Sequence, residues 1–282
     1  MIAARSSNDR GLRHTDDMWT AELRVSDEVS PAGWIAPRLT GGFGAVTRTV
    51  PNGYPAYARI CHPAVDRGGR LVAWSEVARA TGRQTHPVMQ WHALVGSADY
   101  LNMEGSLWPG SDPERGNLIP EVLGPLCDLL AGHTATPEDC FFCLWEGWGW
   151  IDGNVTVLRA STGGAAIGSE EPIAPAFSAE ELSRPRVHLP RRDYLLLAGS
   201  LAAALQIGCW VSADWFDPQS PNLFWPADQA WCVASEIDFD STLLGGTTEL
   251  IEAVLEAPTL DSWPVGPDDS LAFDADQLNP VQ

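Results

Sequence analysis

The chain has 282 residues and a formal net charge of −20, from 37 acidic and 17 basic side chains, and every basic residue is arginine. Without lysine, a Schiff-base lysine, a lysine-held pyridoxal phosphate, a P-loop and the strand lysine of protein kinases are all excluded. The acidic excess argues against nucleic acid and anionic membrane surfaces as partners, since both need a basic face.

Residues 1–30 are polar and charged, with a lone strand expected in Met18–Val25. The first eleven residues carry arginines with no apolar run behind them, so no secretory signal is expected. Pro31–Pro55 is rich in Gly and Pro and predicts turns and loop. Tyr57–His62 alternates and ends at Pro63, a short strand. Val72, Val77 and Ala80 have near-helical spacing, with a stop at Gly82. Pro120–Ala131 predicts a helix whose apolar face is Val122, Leu123, Leu126 and Leu130, with a kink or late start at Pro125.

Aromatics dominate Cys140–Trp150, which suits a strand. Asp152-Gly-Asn154 then reads as a hairpin turn into Val155–Leu158. Residues 160–182 read as a flexible loop of Ser, Gly, Ala, Pro and Glu. Tyr194–Val211 is an 18-residue run without charge, half of it Ala, Gly, Ser, Gln and Cys. Its transfer energy is weak, so it predicts a buried strand at Tyr194–Leu197 leading into an Ala-rich helix, not a membrane span. Leu223–Trp225 is a short strand, and Trp231–Asp240 carries the clearest strand pattern in the chain. A helix follows to Glu256, opened by Gly245-Gly-Thr247, with Glu249 placed as in a capping box. Strands and helices mix without regular βαβ alternation, so the fold class expected is α+β with a mainly antiparallel sheet. The expected organisation is an N-terminal segment 1–30, one domain over 31–257, and an acidic, Pro-containing, poorly ordered tail at 258–282.

Six cysteines in a chain without an export signal read as reduced, mostly buried thiols. Cys140 and Cys143 have C-x-x-C spacing, but no second ligand pair accompanies them, and residues three apart on a strand face opposite sides. Cys61 and His62 are adjacent on a strand and point apart, so a catalytic pair would need a distant His86, His92 or His133. No G-x-S-x-G and no G-x-G-x-x-G is present. Glu236, Asp238 and Asp240 would share one strand face, where they could hold a hard divalent cation or form an ordinary wet face. From Asp193 onward there are 15 acidic residues and no basic one. Of thirteen tryptophans, seven cluster at 145, 148 and 150 and again at 210, 215, 225 and 231. Such clusters fill cores, line clefts or anchor interfaces. The glycines of Trp145-Glu-Gly-Trp148-Gly-Trp150 would let another group approach the backbone.

The segments 142–149 (FCLWEGWG) and 220–246 (SPNLFWPADQAWCVASEIDFDSTLLGG) resemble stretches of uncharacterised proteins of high-GC Gram-positive, actinobacterial-type bacteria. The resemblance implies a cytoplasmic bacterial protein and no particular site. In composition the chain is also similar to acidic, Trp-containing immunity proteins. The expectation is therefore an acidic binding protein directed at a basic protein partner, with no cofactor, no metal and no catalytic residue assigned. Its candidate binding residues are Trp145, Glu146, Trp148, Trp150, Trp215, Trp225, Glu236, Asp238 and Asp240. The alternative is a hydrolase or metal-assisted enzyme using the three carboxylates or a Cys–His pair.

Overall fold

The computed structural model describes residues 23–153, 156–158, 170–172 and 174–281. The fold is α+β. In chain order the first strands are β1 (Arg24–Val25), β2 (Ala56–Cys61), β3 (Ala64–Val65), β4 (Leu71–Val72) and β5 (Cys140–Trp145). They are followed by β6 (Thr156–Leu158), β7 (Glu170–Pro172), β8 (Arg186–Leu189), β9 (Arg192–Gly199) and β10 (Gly208–Ser212). The last are β11 (Trp215–Pro218), β12 (Leu223–Pro226), β13 (Cys232–Ala234), β14 (Ser241–Gly246) and β15 (Ser262–Val265). The helices are α1 (Val46–Thr49), α2 (Trp74–Thr81), α3 (Trp91–Leu94), α4 (Pro120–Ala131), α5 (Ala179–Leu182) and α6 (Thr248–Glu256).

Nine strands form one antiparallel sheet in the order β1-β9-β5-β12-β13-β14-β2-β15, and β8 shares the outer edge of β9 with β1. Strand side chains alternate between faces. Ala58, Ile60, Phe142, Leu144, Leu195, Leu197, Phe224 and Leu244 point to one side, where α4 and α6 cover them with Leu126, Leu130, Leu250 and Val254. Tyr57, Cys143, Leu196, Leu223, Trp225, Cys232 and Leu243 point to the other, against Ile35, Val46, Val50 and Leu271. Because both faces are covered, the central strands are apolar throughout. Each large side chain so buried contributes about 1.5–3 kcal/mol. A third cluster joins α2 and α3 through Trp74, Val77, Met89, Trp91 and Leu94.

Several elements differ from the sequence expectation. The strand expected over Trp231–Asp240 ends at Ala234, and a turn follows in which Phe239 N donates to the Glu236 carbonyl (3.0 Å). The next strand, β14, runs on through Gly245 and Gly246, where the helix was expected to open. The aromatic strand stops at Trp145, and β6 pairs with β7 rather than folding back on it. Val155, and the parts of 160–182 outside β7 and 174–182, lie outside the described residues. The Ala-rich segment is a six-residue 3-10 helix, Leu201–Gln206, and the cap of α6 is Thr247, whose hydroxyl accepts from Leu250 N (3.2 Å). Among the described residues no helix is long and apolar enough to cross a membrane.

The tail expected to be poorly ordered is part of the fold. Its strand β15 pairs with β2 along Tyr57–Ile60. Further on, Asp276 accepts from Gln90 N (3.1 Å), Asn279 N (3.0 Å) and Asn279 Nδ2 (2.9 Å), and it pairs with His86 Nε2 (2.8 Å). Three buried apolar side chains, Leu260, Val265 and Leu271, hold the segment down. Truncation after Ala257 is expected to lower the unfolding free energy by about 5 kcal/mol or more, from three such side chains and a strand ladder. Urea unfolding of the two chains measures the difference.

Candidate functional site

At one end of the sheet, on the Trp225 side, lies a cleft of about 430 Å³. Its floor is built from Arg59 on β2, the 235–241 turn between β13 and β14, and the residues that open β9 and β12. Its walls are the 39–49 segment with α1, the 90–103 segment, Arg115 and the tail at 271–273.

Arg59 organises this floor. By alternation it falls on the same face as Tyr57, and it is 1% exposed. Its Nε donates to Ser241 Oγ (2.9 Å), and one terminal nitrogen donates to the carbonyls of Met89 (2.6 Å) and Pro87 (3.2 Å). The other terminal nitrogen faces Asp240 at 3.5 Å, and the guanidinium lies over Trp74, 5.1 Å from the ring centroid. Asp240 is held near two cations, Arg59 and Arg115, yet burial outweighs them and raises its carboxyl above the ordinary value. His92, also in the cleft wall, is buried and its pKa is lowered by desolvation, against the opposing pull of Asp240 and Asp276.

The candidate carboxylates converge here, but not on a strand. The chain turns after Ala234, so their spacing of two no longer means a common strand face. Glu236 accepts from Arg192 through Nε (2.8 Å) and a terminal nitrogen, and Asp238 takes the same guanidinium at 3.1 Å. All three carboxylates thus have arginine partners inside the chain. Trp145 stacks on Arg192, 5.3 Å from guanidinium carbon to ring centroid, and Trp148 packs edge-on against Trp145. Asn222 ties this corner together: its Oδ1 accepts from Trp145 N (2.8 Å) and Trp148 Nε1 (3.2 Å).

The other candidates lie elsewhere. Glu146 pairs with Arg186 (3.1 Å), Trp150 stacks on Phe177, and Trp225 is buried edge-on to Trp34. Trp215 stands exposed on the β10–β11 hairpin, away from the cleft. Cys140 and Cys143 fall in opposite cores, and all six cysteines are free and buried. Burial, reinforced by the nearby Asp139, Asp228 and Glu138 carboxylates, pushes the Cys140 thiol up to about 12. Among the described residues no group of three His, Cys, Asp or Glu side chains is placed to share a metal ion.

His62, beside Cys61 in sequence, anchors a buried polar chain instead. Its Nδ1 lies 2.6 Å from the Glu114 carbonyl, which can only accept, so Nδ1 carries the proton. Nε2 therefore accepts from Thr242 Oγ1 (2.8 Å), and that hydroxyl in turn accepts from Ser235 Oγ (2.7 Å). Ser235 lies in the cleft floor, so a cleft hydroxyl is oriented by a histidine that never meets solvent.

Sequence reasoning missed the mouth. Phe43, Tyr100, Leu101 and Phe273 line the cleft and are four of the ten exposed large apolar side chains among the described residues. Tyr100 and Phe273 stack at 5.2 Å although 173 positions separate them in the chain. Two glycines permit this assembly. Gly44, at φ 76°, lets the tail approach so closely that a Cβ would meet Ala272 at 2.8 Å. Gly116, at φ 69°, lets the Arg115 loop dock on the Ile237 backbone, where a Cβ would stand 2.7 Å away. Both the left-handed backbone and the close approach suit glycine alone.

Comparison with protein families, curated proteins and solved structures finds no match for this chain.

Two outcomes test the floor. Arg59→Met removes the charge while leaving Asp240 and two buried carbonyls unpaired, and is expected to cost about 3–5 kcal/mol in chemical unfolding. His62 has its pKa lowered to about 4, chiefly by burial, with Arg59 adding to the effect. Between the ordinary value of 6.5 and about 4 the unfolded chain binds the extra proton, so this stability is present above pH 6.5 and is lost as pH falls. The loss amounts to about 3 kcal/mol at one pKa unit per 1.4 kcal/mol. The unfolding free energy of His62→Asn should show a correspondingly shallower fall from pH 7 to pH 4.

Proposed function

We propose that this chain is a binding protein and that the cleft is its ligand site. The observation that carries the reading is the coincidence of a ligand-sized cavity with a cluster of exposed apolar side chains at its mouth and a buried arginine, Arg59, in its floor. Small-molecule sites have about 300–1,000 Å³, apolar linings and a few fixed polar groups, and a volume of about 430 Å³ falls in that range. Isolated exposed apolar residues are ordinary on a surface, whereas four gathered round one opening favour contact with something other than water.

A basic protein partner was expected from the acidic charge and the tryptophans. Glu236, Asp238 and Asp240 already face Arg192 and Arg59, which removes the support those three residues gave to it. Catalysis has weaker support than binding. The Ser235–Thr242–His62 chain ends on a histidine held neutral down to about pH 4, which makes it a poor general base near neutrality.

The reading is tested by ligand-observed NMR with a library of small aromatic fragments against the wild type and a Phe43→Ser/Phe273→Ser double variant. Both side chains are more than half exposed, so the variant is expected to fold. Fragments that bind the wild type should lose most of their saturation transfer in the variant. Equal binding to both chains would refute the cleft as the site.

A further inference from the structure

The sign of the cleft is opposite to that of the protein. Five arginines, Arg48, Arg59, Arg115, Arg191 and Arg192, line it against three carboxylates, in a chain whose net charge is −20. The carboxylates are matched by Arg59 and Arg192. Arg48 and Arg191 form no ion pair and no side-chain hydrogen bond among the described residues, and Arg115 donates only to the Tyr100 carbonyl. Arg191 is held at the β8–β9 turn at φ 78°, a conformation rare for a side chain of its size. A positive cleft with low-dielectric walls concentrates field and draws small anions inward. The acidic envelope repels polyanions such as nucleic acids and anionic bilayers, but a small anion with one or two charges meets far less repulsion.

Resting on the cleft being the ligand site, we infer that it takes a small amphiphilic anion. Its oxyanion group, a carboxylate or a phosphate, would lie against Arg48 and Arg191, and its apolar or aromatic body between Phe43, Tyr100 and Phe273. Guanidinium groups suit this task because their planar fork of N–H donors meets two oxygens of one oxyanion at once. The stacked Tyr100–Phe273 pair offers an aromatic wall for the body.

The test uses two fluorescent probes that differ by one charge, anilinonaphthalene sulfonate and the neutral N-phenylnaphthylamine. The full chain should bind the sulfonate at one site, roughly tenfold or more tighter than the neutral probe, the range one charge-assisted contact supplies. Arg48→Ala and Arg191→Ala should each weaken sulfonate binding by about that factor and leave the neutral probe unchanged. Arg79→Ala, on the exposed face of α2 outside the cleft, should change neither. Displacement by phenylbutyrate, by phenyl phosphate or by both shows which oxyanion fits. Equal affinity for both probes, or sulfonate binding indifferent to Arg48→Ala and Arg191→Ala, overturns the anion proposal but leaves the cleft as a ligand site. Binding of neither probe, with none of the fragments held by the wild-type cleft, overturns both.

Discussion

A buried guanidinium on the second strand sets the arrangement of everything around the cleft. Arg59 occupies a position that strand alternation assigns to the interior, and its N–H groups must find acceptors or cost several kcal/mol. It finds them on two separate pieces of chain: the Asp240 carboxylate and the Ser241 hydroxyl where β14 begins, and the carbonyls of Pro87 and Met89. Trp74 covers its face. Because the donors leave the guanidinium in fixed directions, those pieces are fixed relative to one another, and with them the 90–92 and 235–241 segments that border the cleft.

From that anchor the site extends by two further polar assemblies. His62 holds Glu114 and Thr242, and so joins the segment carrying Arg115 to β14. Asn222 holds the turn after β5 against β12, and Arg192 then reaches from under Trp145 to Glu236 and Asp238. Each assembly ties a connecting segment to the sheet. The aromatic mouth is of a different kind. It rests on backbone contacts: Leu271 N donates to the Gly44 carbonyl (2.8 Å), Val46 N donates to the Asp269 carbonyl (3.0 Å), and Gly44 lets Ala272 approach closely.

Those differences explain what could be read from the sequence. The strands β2, β5, β9 and β12 and the helices α2, α4 and α6 were legible because apolar spacing and terminal signals are local. The end of β13 was not. Glu236, Ile237, Asp238, Phe239 and Asp240 alternate as a strand does, and only the turn bond from Phe239 to Glu236 breaks the pattern. The three carboxylates were expected to share a strand face, whereas a turn and two arginines gather them at the cleft. Arg59 carried no local signal at all: an arginine between Ala58 and Ile60 looks like a wet edge until the strand is known to be covered on both faces. Tyr100 and Phe273 could not be joined by any rule of spacing, because their stacking depends on how the tail returns to the sheet.

The absence of lysine, which at the level of sequence only removes mechanisms, acquires a positive meaning at the cleft. A lysine ammonium is compact and strongly hydrated, and it meets an oxyanion as a point charge. A guanidinium is planar and more weakly hydrated, so it stacks on an indole with one face and pairs at its edge. Arg59 on Trp74 and Arg192 on Trp145 both do this, presenting their edges to carboxylates. Cation–aromatic stacking thus holds two of the five cleft arginines in place, and their internal carboxylates keep the acidic groups occupied. Arg48 and Arg191 are left as the cations whose planar edges have no partner among the described residues. Selectivity in such a site would follow from geometry as much as from sign, because a forked donor distinguishes a two-oxygen anion from a spherical one.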